Sequence, residues 1–191
     1  MAQYANPFEH HIQLSPEELS SLAAFISPIS YQAGATLFPH GEICRDLIIL
    51  QSGLVRVYYL HDAREVNLRL LCAPAVATAL SSLITEEPAE EWVEAVSEVS
   101  GFRLRLCDFE AAHAGGLVER LRRALAEQHY LSMERRLRTL QWKSAEERYA
   151  YFVRHMESDI VQRMPGYHVA SYLGVTPESL SRVRNKRRAG S

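Results

Sequence analysis

The spacing of hydrophobic positions changes period twice along the chain. Ser15-Pro16-Glu17-Glu18 announces a first helix: Ser15 caps it, Pro16 fits its first turn and Glu18 completes a capping box. Leu19, Leu22, Ala23 and Ile26 then recur at helical spacing. From Ser30 to about Leu106 the pattern becomes short β-branched, aliphatic and aromatic runs between turn signals. Leu47 to Leu50 is a buried run, Gln51-Ser52-Gly53 a turn and Leu54 to Leu60 an alternating strand. His61 to Arg64 turns the chain, and Val66 to Leu71 returns. Trp92 to Val99 and Phe102 to Leu106 supply later strands, with Ser100-Gly101 between them. Many short strands at close intervals predict an antiparallel sandwich or jelly roll.

Helical spacing returns from 116 to 141. Leu117, Leu121, Leu125, Leu131, Leu137 and Leu140 lie on or near one face, interrupted by Ala124 and Gln128. An imperfect apolar seam on so long a helix serves both the roll and a partner helix, which predicts a homodimer held at Leu117, Leu121, Leu125 and Leu131. Ser144-Ala145-Glu146-Glu147 is a second capping box. It opens a helix to about His155 with Tyr149, Phe152, Val153 and Met156 inward. Ile160 to Met164 is a short helix or bridge, and Pro165-Gly166 punctuates the chain.

The next stretch, GYHVASYLGVTPESLSRVRNK from Gly166 to Lys186, reads as two short helices joined by a tight turn. Val169, Ala170, Leu173, Val175, Leu180 and Val183 are its apolar positions, and Ala170 is small enough for a close crossing. Gly174 sits where the turn needs positive φ, Thr176 offers an N-cap hydroxyl and Pro177 fits the first helical position. This is the arrangement of a DNA-binding helix-turn-helix. The outward positions Glu178, Ser179, Ser181, Arg182, Arg184 and Lys186 suit base edges and phosphates. The whole is an α+β chain: 1–115 an antiparallel β-roll of jelly-roll type with a flanking helix, 116–142 a long dimerisation helix and 143–191 a helix-turn-helix domain.

Charge sharpens this picture. The formal net charge of the 191 residues is −2, yet from Thr176 onward five cations (Arg182, Arg184, Lys186, Arg187, Arg188) face one acid, Glu178. A nucleic-acid binder needs such a patch rather than a basic total. Glu86 to Glu98 holds six glutamates and no base. Three scattered cysteines, Cys44, Cys72 and Cys107, give no disulfide framework and no C-x-x-C metal pattern, and read as reduced thiols of a cytoplasmic protein. MAQYANPFEHHIQ lacks the regions of a secretion signal, and no run is long and apolar enough for a membrane span.

A roll, a long helix and a helix-turn-helix in this order resemble the Crp/Fnr family of bacterial transcription factors. Gly34-Ala35-Thr36-Leu37-Phe38-Pro39-His40-Gly41-Glu42 looks like the family's first turn and strand, and Leu47 to Val57 like its hydrophobic-Ser-Gly hairpin. Ser144-Ala145-Glu146-Glu147-Arg148 resembles the opening of the DNA-binding domain. Glu178-Ser179-Leu180-Ser181-Arg182 resembles the E-x-x-S-R recognition helix. The family's phosphate cassette is missing: Val76 to Leu83 has no Gly-Glu, and Ala89-Glu90-Glu91 stands where an Arg-Ser pair should precede Trp92-Val93. A phosphate diester needs a cation and backbone donors, and two carboxylates would repel it. Cyclic AMP is therefore not expected to bind in the family's usual way. The four-cysteine iron–sulfur site of the oxygen-sensing branch has no counterpart among Cys44, Cys72 and Cys107, and the family's closing β-wing is not expected after Arg188.

The resemblance implies a dimer that sets two recognition helices in successive major grooves, about 34 Å apart, on an inverted-repeat duplex. Arg182 can donate to guanine O6 and N7, Glu178 can accept from cytosine N4, and Ser181 can touch a base edge. Tyr167, Thr176 and Ser179 are phosphate candidates, with Arg184, Lys186 and Arg187 adding charge. RNA polymerase is a further implied partner. An effector pocket in the roll would include Thr78, Ser81, Glu90 and Glu91, or be filled by Leu80, Leu83 and Trp92 in an effector-free regulator. Two other readings stand beside this one. The first is an interaction module of the same fold acting through protein partners. The second is a metal-binding jelly-roll enzyme, hinted at only by His40-x-Glu42, with His10-His11 read as solvated. No metal or cofactor is assigned.

Overall fold

The computed structural model describes residues 15–113 and 115–189, with side chains to 187. His10-His11, the amino-terminal segment read for a signal and the side chain of Arg188 lie outside the described residues. The first capping box forms as its residues dictate: the Ser15 amide donates to Glu18 Oε2 at 2.9 Å and the Glu18 amide to Ser15 Oγ at 3.2 Å. The helix it starts, α1 (Pro16–Ala23), is shorter than its apolar spacing implies. Ile26 belongs to a strand instead, because it pairs with Leu104.

Among the described residues, eight strands form two antiparallel four-stranded sheets. One holds β1 (Ile26–Tyr31), β3 (Leu47–Ser52), β6 (Ala75–Ala77) and β8 (Val99–Leu104), in the order β1-β8-β3-β6. The other holds β2 (Thr36–Phe38), β4 (Leu54–His61), β5 (Arg64–Cys72) and β7 (Trp92–Ala95), in the order β2-β7-β4-β5. Their inner faces meet in a core that includes Ile48, Leu50, Val55, Val93 and Val99. Ser100-Gly101 is not the break between the last two strands. Both residues lie inside β8, where Gly101 sits between Ile29 and Leu50. A Cβ at Gly101 would collide with the Ile49 carbonyl, so the glycine serves close backbone approach rather than a turn. Leu106, expected to end a strand, begins α3 (Leu106–Ala112), and α2 (Leu80–Thr85) follows β6.

The long helix α4 (Gly116–Gln141) spans the predicted stretch. Its first half is consumed by the roll: Leu121, Ala124 and Leu125 pack with Leu22, Leu47, Leu104 and Phe109. Ala124 is therefore part of the seam rather than an interruption. Leu121 and Leu125, expected at a dimer interface, have only 1% and 5% of their surface exposed in the single chain. Leu117 is half-buried on the same cluster. Of the four proposed dimer residues only Leu131 is exposed, together with Tyr130, Leu137 and Trp142. The free apolar surface thus lies toward the carboxyl end of α4.

Helices α5 (Ala145–His155), α6 (Ser158–Arg163), α7 (Gly166–Leu173) and α8 (Pro177–Ala189) follow. Ser144 and Glu147 form the second reciprocal cap. Tyr149, Phe152, Ile160, Val169, Leu173, Leu180 and Val183 share a third core with Leu54 and Leu70, so these helices are built onto the β4–β5 side of the roll. Among the described residues no helix is long and apolar enough to cross a membrane.

Candidate nucleic-acid interface

The α7–α8 turn is set by hydrogen bonding at both helix ends. Gly174 closes α7 in the left-handed region (φ 63°, ψ 40°), its amide donating to Ser171 O, and the Val175 amide donates to Ala170 O. A Cβ on Gly174 would press on Leu140 and Arg148 at 3.1 and 3.2 Å. Thr176 Oγ1 accepts the Ser179 amide at 3.2 Å, the expected N-cap of α8. Leu180 and Val183 face inward, and Glu178, Ser181, Arg182, Asn185, Lys186 and Arg187 are exposed on the other side.

The three proposed base-reading residues therefore share one free face. Arg182 Nη2 donates to Ser179 Oγ at 3.2 Å, and the Thr176 and Ser179 hydroxyls are 3.2 Å apart. This chain of contacts holds the guanidinium near the start of α8. Backbone hydrogen bonding at the helix start, then the Thr176 hydroxyl, hold the Glu178 carboxyl below its ordinary pKa, so it is an acceptor. Tyr167 is exposed at the start of α7. Arg184 is placed differently from its neighbours: it is half-buried, and its guanidinium lies 5.5 Å from the centre of the Tyr149 ring.

Sequence reasoning passed over the residue that ties this turn to the long helix. Arg148 Nε donates to Trp142 O at 2.8 Å and Nη2 to Leu140 O at 3.1 Å, at the end of α4. Its Nη1 donates to Leu173 O at 2.9 Å and Gly174 O at 3.1 Å, at the end of α7. One guanidinium thus satisfies carbonyls at two helix C-termini, where a cation is also favoured by the dipoles. Its only sequence signal was its place next to the second capping box.

A second missed group docks α7 on the roll. Arg56, 4% exposed, forms paired hydrogen bonds with Glu65 and with Glu94 (3.0 and 3.1 Å), and donates from Nη1 to His168 Nδ1 at 3.1 Å. Burial opposes the Arg56 charge, but hydrogen bonds to Glu65 and Glu94 outweigh it and raise the pKa. His168 is held neutral, its pKa lowered to about 4 by burial first and the Arg56 charge second. Ser171 Oγ accepts the Asn67 amide at 3.0 Å and donates to Glu65 O at 2.7 Å.

Of the four proposed effector residues, Ser81, Glu90 and Glu91 lie close together and Thr78 stands apart. Thr78 is buried, its hydroxyl 2.9 Å from Asp46 O and 3.3 Å from the Cys44 thiol, so it is a structural group. Ser81 donates to both Glu91 carboxylate oxygens, at 3.1 and 3.2 Å. Glu90 and Glu91 line a depression of about 510 Å³ with His40, Tyr59, Leu60, Leu68 and Trp92, whereas Thr78 and Ser81 do not. Ala89 is buried where the resemblance calls for arginine. His40, the one hint of a metal site, stacks on Trp92 with ring centres 4.4 Å apart. The cysteines are unpaired, Cys44 buried and the other two partly so.

Fold and interface together define a class: a β-roll joined by a long helix to a helix-turn-helix. Residues 28–114 match the cyclic nucleotide-binding domain family, and over most of its length the chain shares the fold of solved Crp/Fnr-type regulators. It is similar to FixK2 from Bradyrhizobium japonicum (22% identity, 86% of this chain and 85% of that one, TM-score 0.73). It is also similar to the c-di-GMP-responsive global regulator CLP of Xanthomonas campestris (16% identity, 90% and 91%, TM-score 0.70). A CRP/FNR-family transcriptional regulator from Thermus thermophilus superposes with TM-score 0.64 at 16% identity, over 86% and 87% of the two chains. No curated protein matches the chain in sequence.

Proposed function

We propose that this chain is a homodimeric, sequence-specific DNA-binding transcription regulator of the bacterial cytoplasm, acting by binding rather than catalysis. The observation that carries the reading is α8 itself, which buries Leu180 and Val183 and leaves Glu178, Ser181 and Arg182 exposed on a capped, cationic helix. Arg182 and Glu178 read base edges, Ser181 adds a third contact, and Tyr167, Thr176, Ser179, Lys186 and Arg187 sit against phosphates. Exposed Tyr130, Leu131 and Leu137 on α4 supply the apolar surface a second copy covers. RNA polymerase is the further partner such a regulator would engage.

The roll does not bind cyclic AMP in the usual family manner, because Glu90 and Glu91 line the depression and Ala89 offers no cation. Selecting duplexes from a random pool tests the main reading: an inverted repeat with half-sites one helical turn apart is expected, and no enrichment refutes it. Calorimetric titration with cyclic AMP should give no heat of tight binding.

A further inference from the structure

Arg69 of β5 carries a buried charge with no carboxylate in ion-pair contact among the described residues. Its side chain is 7% exposed, and its Nε has no hydrogen-bond partner. Nη1 lies 3.4 Å from His129 Nδ1 on α4. Glu91, itself buried, is near enough to favour the charge but forms no ion pair with Arg69, and Ser81 donates to its oxygens. Burial lowers the Arg69 pKa to about 10, which still leaves the guanidinium charged at neutral pH. His129 is no counter-ion: burial and then the Arg69 charge lower its pKa to about 4, so it stays neutral. A buried, unpaired cation is costly to the fold, and one weak bond to imidazole offsets little of that cost.

Arg69 does not stand alone. It lines a cleft of about 120 Å³ between β5, α4 and α7, whose wall includes Arg135, Ser132 and Tyr172. Arg135 donates to the carbonyls of Leu131 (3.5 Å) and His155 (3.3 Å), with no carboxylate partner among the described residues. The neighbouring Arg136 lies 5.7 Å from the Tyr172 ring centre, and its buried Nε is also unpartnered. Among the described residues Glu157 is the one acid on the cleft wall. Neither Arg69 nor Arg135 has a carboxylate in ion-pair contact among the described residues, although both line this small cleft. Guanidinium groups match carboxylate or phosphoryl oxygens in pairs. The volume is well below the ~300 Å³ at which drug-sized ligand pockets begin, so a nucleotide does not fit.

We propose that this cleft is a binding site for a small oxyanion, a carboxylate or phosphoryl group, held between Arg69 and Arg135. The site is separate from the acidic depression at Glu90 and Glu91, and its test is independent of whether α8 reads DNA. It touches the roll through β5, the long helix through α4 and the helix-turn-helix through α7. An anion there is therefore placed to report on all three.

The experiment is thermal unfolding of the full chain in a zwitterionic, low-chloride buffer. Inorganic phosphate is titrated in one arm, a short dicarboxylate in a second, and chloride at matched ionic strength in a third. A saturable rise in Tm with phosphate or dicarboxylate, absent with chloride, is expected, and the stronger arm identifies the head group. Arg69→Met should weaken that binding about tenfold or more. The same variant should keep or raise the ligand-free Tm, because it removes an unpaired buried charge at nearly constant length. A Tm response to neither anion, or one that survives in Arg69→Met, overturns the proposal. So does a loss of ligand-free Tm in Arg69→Met, which would show that the charge is already compensated within the protein.

Discussion

Arg182 and Lys186 project from the same free face of α8, but chemistry gives them different tasks. A guanidinium can make two directed bonds to guanine, so Arg182→Ala should cost ~1–3 kcal/mol of operator affinity and relax preference at one base position. Lys186 presents a point charge, so Lys186→Ala should weaken all duplexes alike and lower the salt slope by about one. Fluorescence anisotropy over a salt series, with matched and single-mismatch duplexes, separates the two outcomes. Arg148 acts by positioning, since its four bonds join the ends of α4 and α7. Arg148→Met leaves several partly buried carbonyls without donors. We expect a loss of roughly 2–4 kcal/mol in urea unfolding, and weaker DNA binding because the turn before α8 loses its tie to α4.

Among the elements, what was legible in the sequence is what local chemistry decides. Both capping boxes, the span of α4 and the Gly174–Thr176 turn follow from residues a few positions apart. Features set by pairing across the fold were not legible. Ser100-Gly101 reads as a turn by composition, but β1 and β3 recruit it into β8. Thr78 looks like a ligand donor until Asp46, distant in sequence, takes its hydrogen bond. The docking of α7 belongs to the same class, because Arg56 and His168 are 112 positions apart. That contact makes a pH prediction. Well above pH 6.5 His168 is neutral folded or unfolded and adds no pH dependence to stability. As pH falls from about 6.5 toward 4 the unfolded chain takes up the proton first, so stability drops, by up to ~3 kcal/mol. The urea midpoint should fall across that window, and His168→Gln should reduce the slope without abolishing it, because His129 has a pKa lowered to the same range.

For the whole molecule, the division of α4 between two tasks is the organising feature. Its amino-terminal half completes the core of the roll through Leu121, Ala124 and Leu125. Its other half exposes Tyr130, Leu131 and Leu137, and ends where Arg148 grips the helix-turn-helix. The seam looked continuous in sequence because hydrophobic spacing does not say which partner an apolar residue meets. In our reading of the exposed half, Leu131→Glu with Leu137→Glu shifts the protein to monomer in analytical ultracentrifugation and removes tight operator binding, while circular dichroism stays unchanged. Hydroxyl-radical footprinting of a selected duplex tests the central claim most directly. Two protected windows related by a two-fold axis and about 10 base pairs apart, both lost with Arg182→Ala at the same protein concentration, are predicted. Uniform cleavage along the duplex, or windows indifferent to Arg182, would contradict the account.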